Sequence, residues 1–147
     1  IEQLRREMNA LASTLPEYEV VMGMYGVGKT YGPQLIAEIG DVSRFTHREA
    51  ITAFAGVDPG VEQSGQHNSK SNKASKCGTG RLRKTLFQVM TTLLQNAPEN
   101  EPVYQFLNRK RSEGKPYYVY MTAGANKFLR IYYGKVKAHL RSLEQNE

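Results

Sequence analysis

Near the C-terminus Leu129, Tyr132, Tyr133, Val136, Leu140 and Leu143 recur at three- and four-residue steps, while Lys127, Arg130, Lys137 and Arg141 fall between them. That spacing puts the apolar set on one side of a helix and the cations on another. The same rhythm returns in Leu4, Met8, Leu11 and Leu15, and in Leu82, Leu86, Val89, Met90 and Leu93. No stretch sustains the two-residue alternation of a half-buried strand, although Tyr117 to Tyr120 has the composition of a short one. The pattern predicts an all-α fold: an entry helix ending at Pro16, helices on both sides of Tyr25-Gly26-Val27-Gly28, one over His47 to Ala55, and further helices over Arg81 to Gln95, Val103 to Arg111 and Tyr117 to Ser142. Thr30 is the expected cap of the helix that follows the glycine turn.

Asp58-Pro59-Gly60 opens a polar segment that runs to Gly80 without periodicity, which predicts a long loop. Loops of that length inside a compact domain usually carry function. Here the charge is informative. No Asp or Glu occurs from Gln63 to Pro98, where Lys70, Lys73, Lys76, Arg81, Arg83 and Lys84 all lie. These six equal the whole net charge of +6, because the rest of the chain carries 14 basic and 14 acidic residues. An uncompensated local cation cluster binds polyanions by counterion release, so nucleic acid is the favoured partner and a solvated basic loop the plain alternative.

The 147 residues suffice for one ordinary domain. No apolar run approaches a membrane span or a signal peptide, which points to a cytoplasmic protein without a membrane role. One cysteine, Cys77, and three histidines give no metal-ligand pattern, so no metal site is expected in this chain. Because the chain opens on Ile1 inside a helix-like run, residues 1–16 read as the end of an upstream linking helix and 17–147 as a domain with a helix-hairpin-helix-like element at 17–40.

Gly23-Met24-Tyr25-Gly26-Val27-Gly28-Lys29-Thr30 spells the phosphate-binding P-loop formula. A P-loop must follow a buried strand in a parallel sheet, and Glu17-Tyr18-Glu19-Val20-Val21 is half polar. The same residues fit a helix-hairpin-helix, in which Gly26 and Gly28 form a tight turn and the amides opening the second helix, with Lys29 and Thr30, face a DNA phosphate. Packing of helix on helix without DNA accounts for the glycines equally well. Ser64, in Gln63-Ser64-Gly65, begins the basic segment; a serine needs an activating base or metal to act as a nucleophile, and His67 is the only imidazole nearby.

The order of these motifs resembles the C-terminal domain of the bridge-RNA-guided insertion-sequence transposases of the insertion sequence one-ten class. The resemblance rests on Gly26-Val27-Gly28, then Leu35-Ile36-Ala37-Glu38-Ile39-Gly40-Asp41, Phe45, Ala53-Phe54-Ala55-Gly56-Val57-Asp58-Pro59 and Gln63-Ser64-Gly65. It continues through Ser75-Lys76-Cys77-Gly78, Arg81-Leu82-Arg83, Gly114-Lys115-Pro116 and Asn126-Lys127-Phe128-Leu129. Tyr25 and Lys29 stand where the family's hairpin usually has prolines. The resemblance implies a bacterial or archaeal DNA recombinase in which Ser64 becomes covalently joined to DNA. It also implies an N-terminal resolvase-like domain, outside this chain, that supplies four acidic residues and a divalent metal such as magnesium. A guide RNA and a homo-oligomer of the full-length protein follow as expected partners, and this chain alone is expected to be inactive. A noncatalytic helix-hairpin-helix DNA-binding module is the alternative.

Overall fold

The computed structural model describes residues 1–58 and 69–146, with side chains through Asp58 and from Gly80 onward. Among these residues every regular element is helical: α1 (Glu2–Ala12), α2 (Tyr18–Met22), α3 (Gly28–Ile39), a short 3-10 turn (Val42–Arg44), α4 (Arg48–Ala55), α5 (Ser69–Asn96), α6 (Pro102–Ser112) and α7 (Tyr117–Gln145). The expected all-α architecture is the observed one.

The long helix α7 is the spine, buried along Met121, Gly124, Ala125, Phe128, Leu129, Tyr132, Tyr133 and Val136. Helices α2, α4, α5 and α6 all pack on it, and α5 in turn carries α3. Burying an aromatic or large aliphatic side chain of this kind stabilises by roughly 1.5–3 kcal/mol, so the spine and the Leu82, Leu86, Val89, Met90 and Leu93 face of α5 hold the fold together. Glycine allows the closest approach: a methyl group at Gly124 would overlap the side chain of Leu107 on α6 and lie 3.1 Å from the sulfur of Met90 on α5. Tyr133 ties the spine to the 3-10 turn by donating its hydroxyl to the Phe45 carbonyl at 3.0 Å.

Three local expectations are corrected, and the expected entry helix is left largely uncovered. Ser69 to Gly80 is not loop but the first turns of α5, so Lys70, Lys73 and Lys76 sit on a helix. Tyr117 to Tyr120 is the first turn of α7 rather than a strand; β-propensity there yields to a helix that starts behind Pro116. Thr30 lies inside α3, which opens at Gly28 with Val27 in the cap position and no side-chain cap. The entry helix packs on α3 but buries only Ala12, while Leu4, Leu11 and Leu15 are exposed and Met8 is 41% exposed.

Candidate nucleic-acid interface

Helices α2 and α3 pack against each other across the turn at residues 23–27. Because α2 is a helix and no strand exists among the described residues, the P-loop formula here has no P-loop fold beneath it. The two glycines of the turn do different jobs. At Gly26 φ is +84° and a Cβ would sit 3.1 Å from the Val89 carbonyl oxygen and 3.0 Å from Leu93 Cγ, so this residue lets the turn press against α5. At Gly28 φ is +62°, and a Cβ would meet nothing within 4 Å: here the backbone is open to solvent.

The first bond closing α3 runs from the Tyr31 amide to the Val27 carbonyl at 3.3 Å. The amides of Gly28, Lys29 and Thr30 precede it and have no intrahelical acceptor. They border a cavity of about 370 Å³ lined by residues 26–31 together with Thr92 and Asn96 of α5. Exposed amides at the positive end of a helix, a lysine and two neutral polar side chains form a surface suited to a phosphate.

The cations of α5 occupy another place. Arg81 and Lys84 are exposed, and the Arg83 guanidinium lies against Gly56, where a Cβ would stand 3.2 Å from its Nη1. Along α5, Lys70, Lys73, Lys76, Arg81, Arg83 and Lys84 all precede the Thr85 contact with α3. Helices α3 and α5 run antiparallel: Thr85 donates to Glu38 Oε1 at 2.7 Å near the end of α3, whereas Thr92 and Asn96 flank its start. Lys70 is therefore about 33 Å along the helix from Thr92. The predicted DNA contacts thus fall in two places: residues 26–30 beside Thr92 and Asn96, and the cations of α5 from its middle toward its start.

Ser64 lies outside the described residues, but the chain leading toward it is firmly held. Gly56 ends α4 in the left-handed conformation, with φ 71° and ψ 30°. The Asn126 side chain of α7 donates to the Val57 carbonyl at 3.2 Å, and the Thr52 hydroxyl lies 2.6 Å from Asp58 Oδ1. Sequence reasoning gave neither Asn126 nor Thr52 a role; a single asparagine among the inward-facing apolar residues of α7 was the available signal. We expect Asn126→Ala to destabilise the protein by about 1–2 kcal/mol, because it leaves the Val57 carbonyl without its donor. Urea unfolding measures this, and Thr122→Ala on the same helix is the control.

A catalytic role for the described groups themselves finds little support. The His47–Glu49 pair, 3.2 Å apart, sits at the other end of α4, about 12 Å of helix from Gly56. There His47 Nδ1 accepts the Ala50 amide and caps the helix. Burial pushes the Tyr132 phenol far above its ordinary pKa, with the carboxylate of Glu17 adding to the shift, so it stays protonated. Among the described residues no three His, Cys, Asp or Glu residues gather. No described helix is long and apolar enough to cross a membrane.

The described residues thus form an all-helical domain with a polar cavity at the start of α3 and, apart from it, exposed cations on α5. Residues 18–105, more than half of the chain, match the model of the Transposase IS116/IS110/IS902 family, and the chain belongs to that family. It is 27% identical over 141 residues to the pilin gene-inverting proteins of Moraxella bovis and of Moraxella lacunata. Those alignments cover 93% of this chain and 43% of each relative, so the chain spans less than half the length of the curated relatives it matches. No solved structure matches it.

Proposed function

We propose that this chain is the DNA-handling, serine-bearing part of a transposase that cuts and rejoins strands. The observation that carries the reading is the family match over residues 18–105, which spans the amide-lined cavity, the cationic part of α5 and Ser64 together. Inversion of a gene, the activity named for the Moraxella relatives, is a cut-and-rejoin reaction on DNA.

In the proposed step the Ser64 oxygen attacks a backbone phosphorus. An ester bond to serine forms, the bond from phosphorus to one sugar oxygen breaks, and that oxygen leaves as a hydroxyl after gaining a proton. Attack by the hydroxyl of another strand reverses the step, frees serine and conserves the number of phosphate ester bonds. Besides Ser64, the chain's own part is to hold DNA: amides of α3 on one phosphate, cations of α5 along a backbone. Activation of serine is assigned to acidic groups and a divalent ion of an N-terminal domain outside this chain, and choice of sequence to a guide RNA. The intact protein is expected to act as a homo-oligomer, since exchange joins two duplexes.

Two measurements test this. Intact protein incubated with guide RNA and substrate DNA should give a covalent protein–DNA adduct whose linkage maps to the peptide containing Ser64. A linkage at another residue, or none, removes the serine chemistry and leaves a noncatalytic DNA-binding module. Separately, Arg81→Ala with Lys84→Ala should lower the slope of log K against log salt for duplex binding by about two, one per lost phosphate contact. An unchanged slope would take those side chains off the DNA.

A further inference from the structure

Where α6 turns into α7, the surface carries aromatic rings instead of the polar residues usual at such a junction. Tyr117 is 56% exposed and Tyr118 is 42% exposed, and both lean on Phe87 of α5, with ring centroids 6.5 Å and 5.7 Å from it. Tyr120 joins them 5.7 Å from Tyr117. Their ring planes are inclined at 79°, 55° and 80°, so none of these contacts is a parallel stack. Tyr117 and Tyr118 therefore present part of their side-chain surface to solvent. Contiguous exposed apolar surface of this kind marks a site of interaction more often than an accident of packing.

The charge around the rings selects the partner. Phe87 lies one turn beyond Lys84 on α5, and Lys84 is exposed. The nearest carboxylate on the incoming turn, Glu113, faces Lys110 at 3.8 Å. Exposed aromatic rings with a cation one turn away match a strand whose bases are unpaired: bases stack on the rings while a phosphate meets the cation. Duplex DNA cannot use such a platform, because its bases are already stacked inside the helix.

We infer that Tyr117, Tyr118 and Phe87, with the exposed Lys84 one turn before Phe87, form a stacking platform for single-stranded DNA, the strand released when the duplex is cut. The platform is separate from the amide-lined cavity at the start of α3, which holds a phosphate and reads no base. The inference rests on the proposed strand-cleavage role for the source of the strand, and its test does not depend on cleavage.

Binding is measured by fluorescence anisotropy of the intact protein with labelled oligo-dT, oligo-U and a hairpin duplex. Tyr117→Ala with Tyr118→Ala should weaken oligo-dT binding by on the order of ten-fold or more and leave the duplex unchanged, while Tyr117→Phe with Tyr118→Phe keeps wild-type affinity. Retained oligo-dT affinity in the alanine variant, or an equal loss for the duplex, overturns the platform. Tighter binding of oligo-U with the same dependence on the tyrosines overturns DNA as its occupant. A second measurement needs no variant: photocrosslinking of 5-iodouracil oligo-dT to wild-type protein should mark the peptide containing Tyr117 and Tyr118, and crosslinks confined to other peptides also refute the platform. Covalent adduct formation reports separately on Ser64, so failure of either idea is visible without the other.

Discussion

Ser64→Ala in the intact protein should lower the proposed strand cleavage by on the order of a thousand-fold or more, the scale seen when an enzyme loses its covalent nucleophile, while binding to DNA stays near wild type. The change removes one oxygen from a segment whose neighbours are fixed by other contacts: Asn126 to Val57, Thr52 to Asp58, and Gly56 in the left-handed conformation. No described histidine–carboxylate pair stands by this end of α4 to support a substitute nucleophile. Lys29→Ala provides the contrast. It removes one cation at the mouth of the amide-lined cavity, so duplex affinity should fall by up to about ten-fold while the cleavage rate at saturating DNA is retained. Gel-resolved adducts and anisotropy titrations on the two variants separate the roles. Adducts that persist in Ser64→Ala, or cleavage that disappears with Lys29→Ala at saturation, would contradict the assignment of chemistry to one residue and anchoring to the other.

Most of this architecture was legible in the sequence, for a reason specific to each element. Leu82, Leu86, Val89 and Leu93 on α5, and Leu129, Tyr132, Tyr133 and Val136 on α7, bury what their periodicity predicts. The first turns of α5 were illegible because no large aliphatic or aromatic residue lies between Val61 and Leu82; a helix without an apolar stripe has no period to read. The consequence reached the site, since Lys70, Lys73 and Lys76 change from a loose basic loop into positions ordered along one helix. The entry helix shows the opposite failure: Leu4, Met8, Leu11 and Leu15 are strongly periodic, yet largely uncovered by the rest of the chain. Period reports that a face is apolar and is silent on what covers it. The separation of the amide-lined cavity from the cations was likewise hidden, because it arises from the antiparallel packing of α3 on α5, with Thr85 bonded to Glu38 at one end and Thr92 beside the cavity at the other. Family resemblance grouped those residues by order along the chain; the fold sorts them by position.

The glycine pair of the α2–α3 turn offers the sharpest test of that sorting. Gly26→Ala should destabilise the protein by about 2–4 kcal/mol, combining the cost of a positive φ for a residue with a Cβ with a collision against α5. Relief would require the Val89 backbone, 3.1 Å from the added carbon, to move, and that backbone is part of the helix on which α3 rests. Gly28→Ala has the strain without the collision, so its loss should be about 1–2 kcal/mol. Its added methyl group enters open space beside the free amides, where a phosphate would approach. The two variants should thus diverge in opposite senses: Gly26→Ala loses mainly stability in denaturant titrations, and Gly28→Ala loses mainly duplex affinity when folded protein is assayed. If Gly28→Ala binds duplex as the wild type does, the cavity at the start of α3 is structural, and DNA is held by the cations of α5 without it.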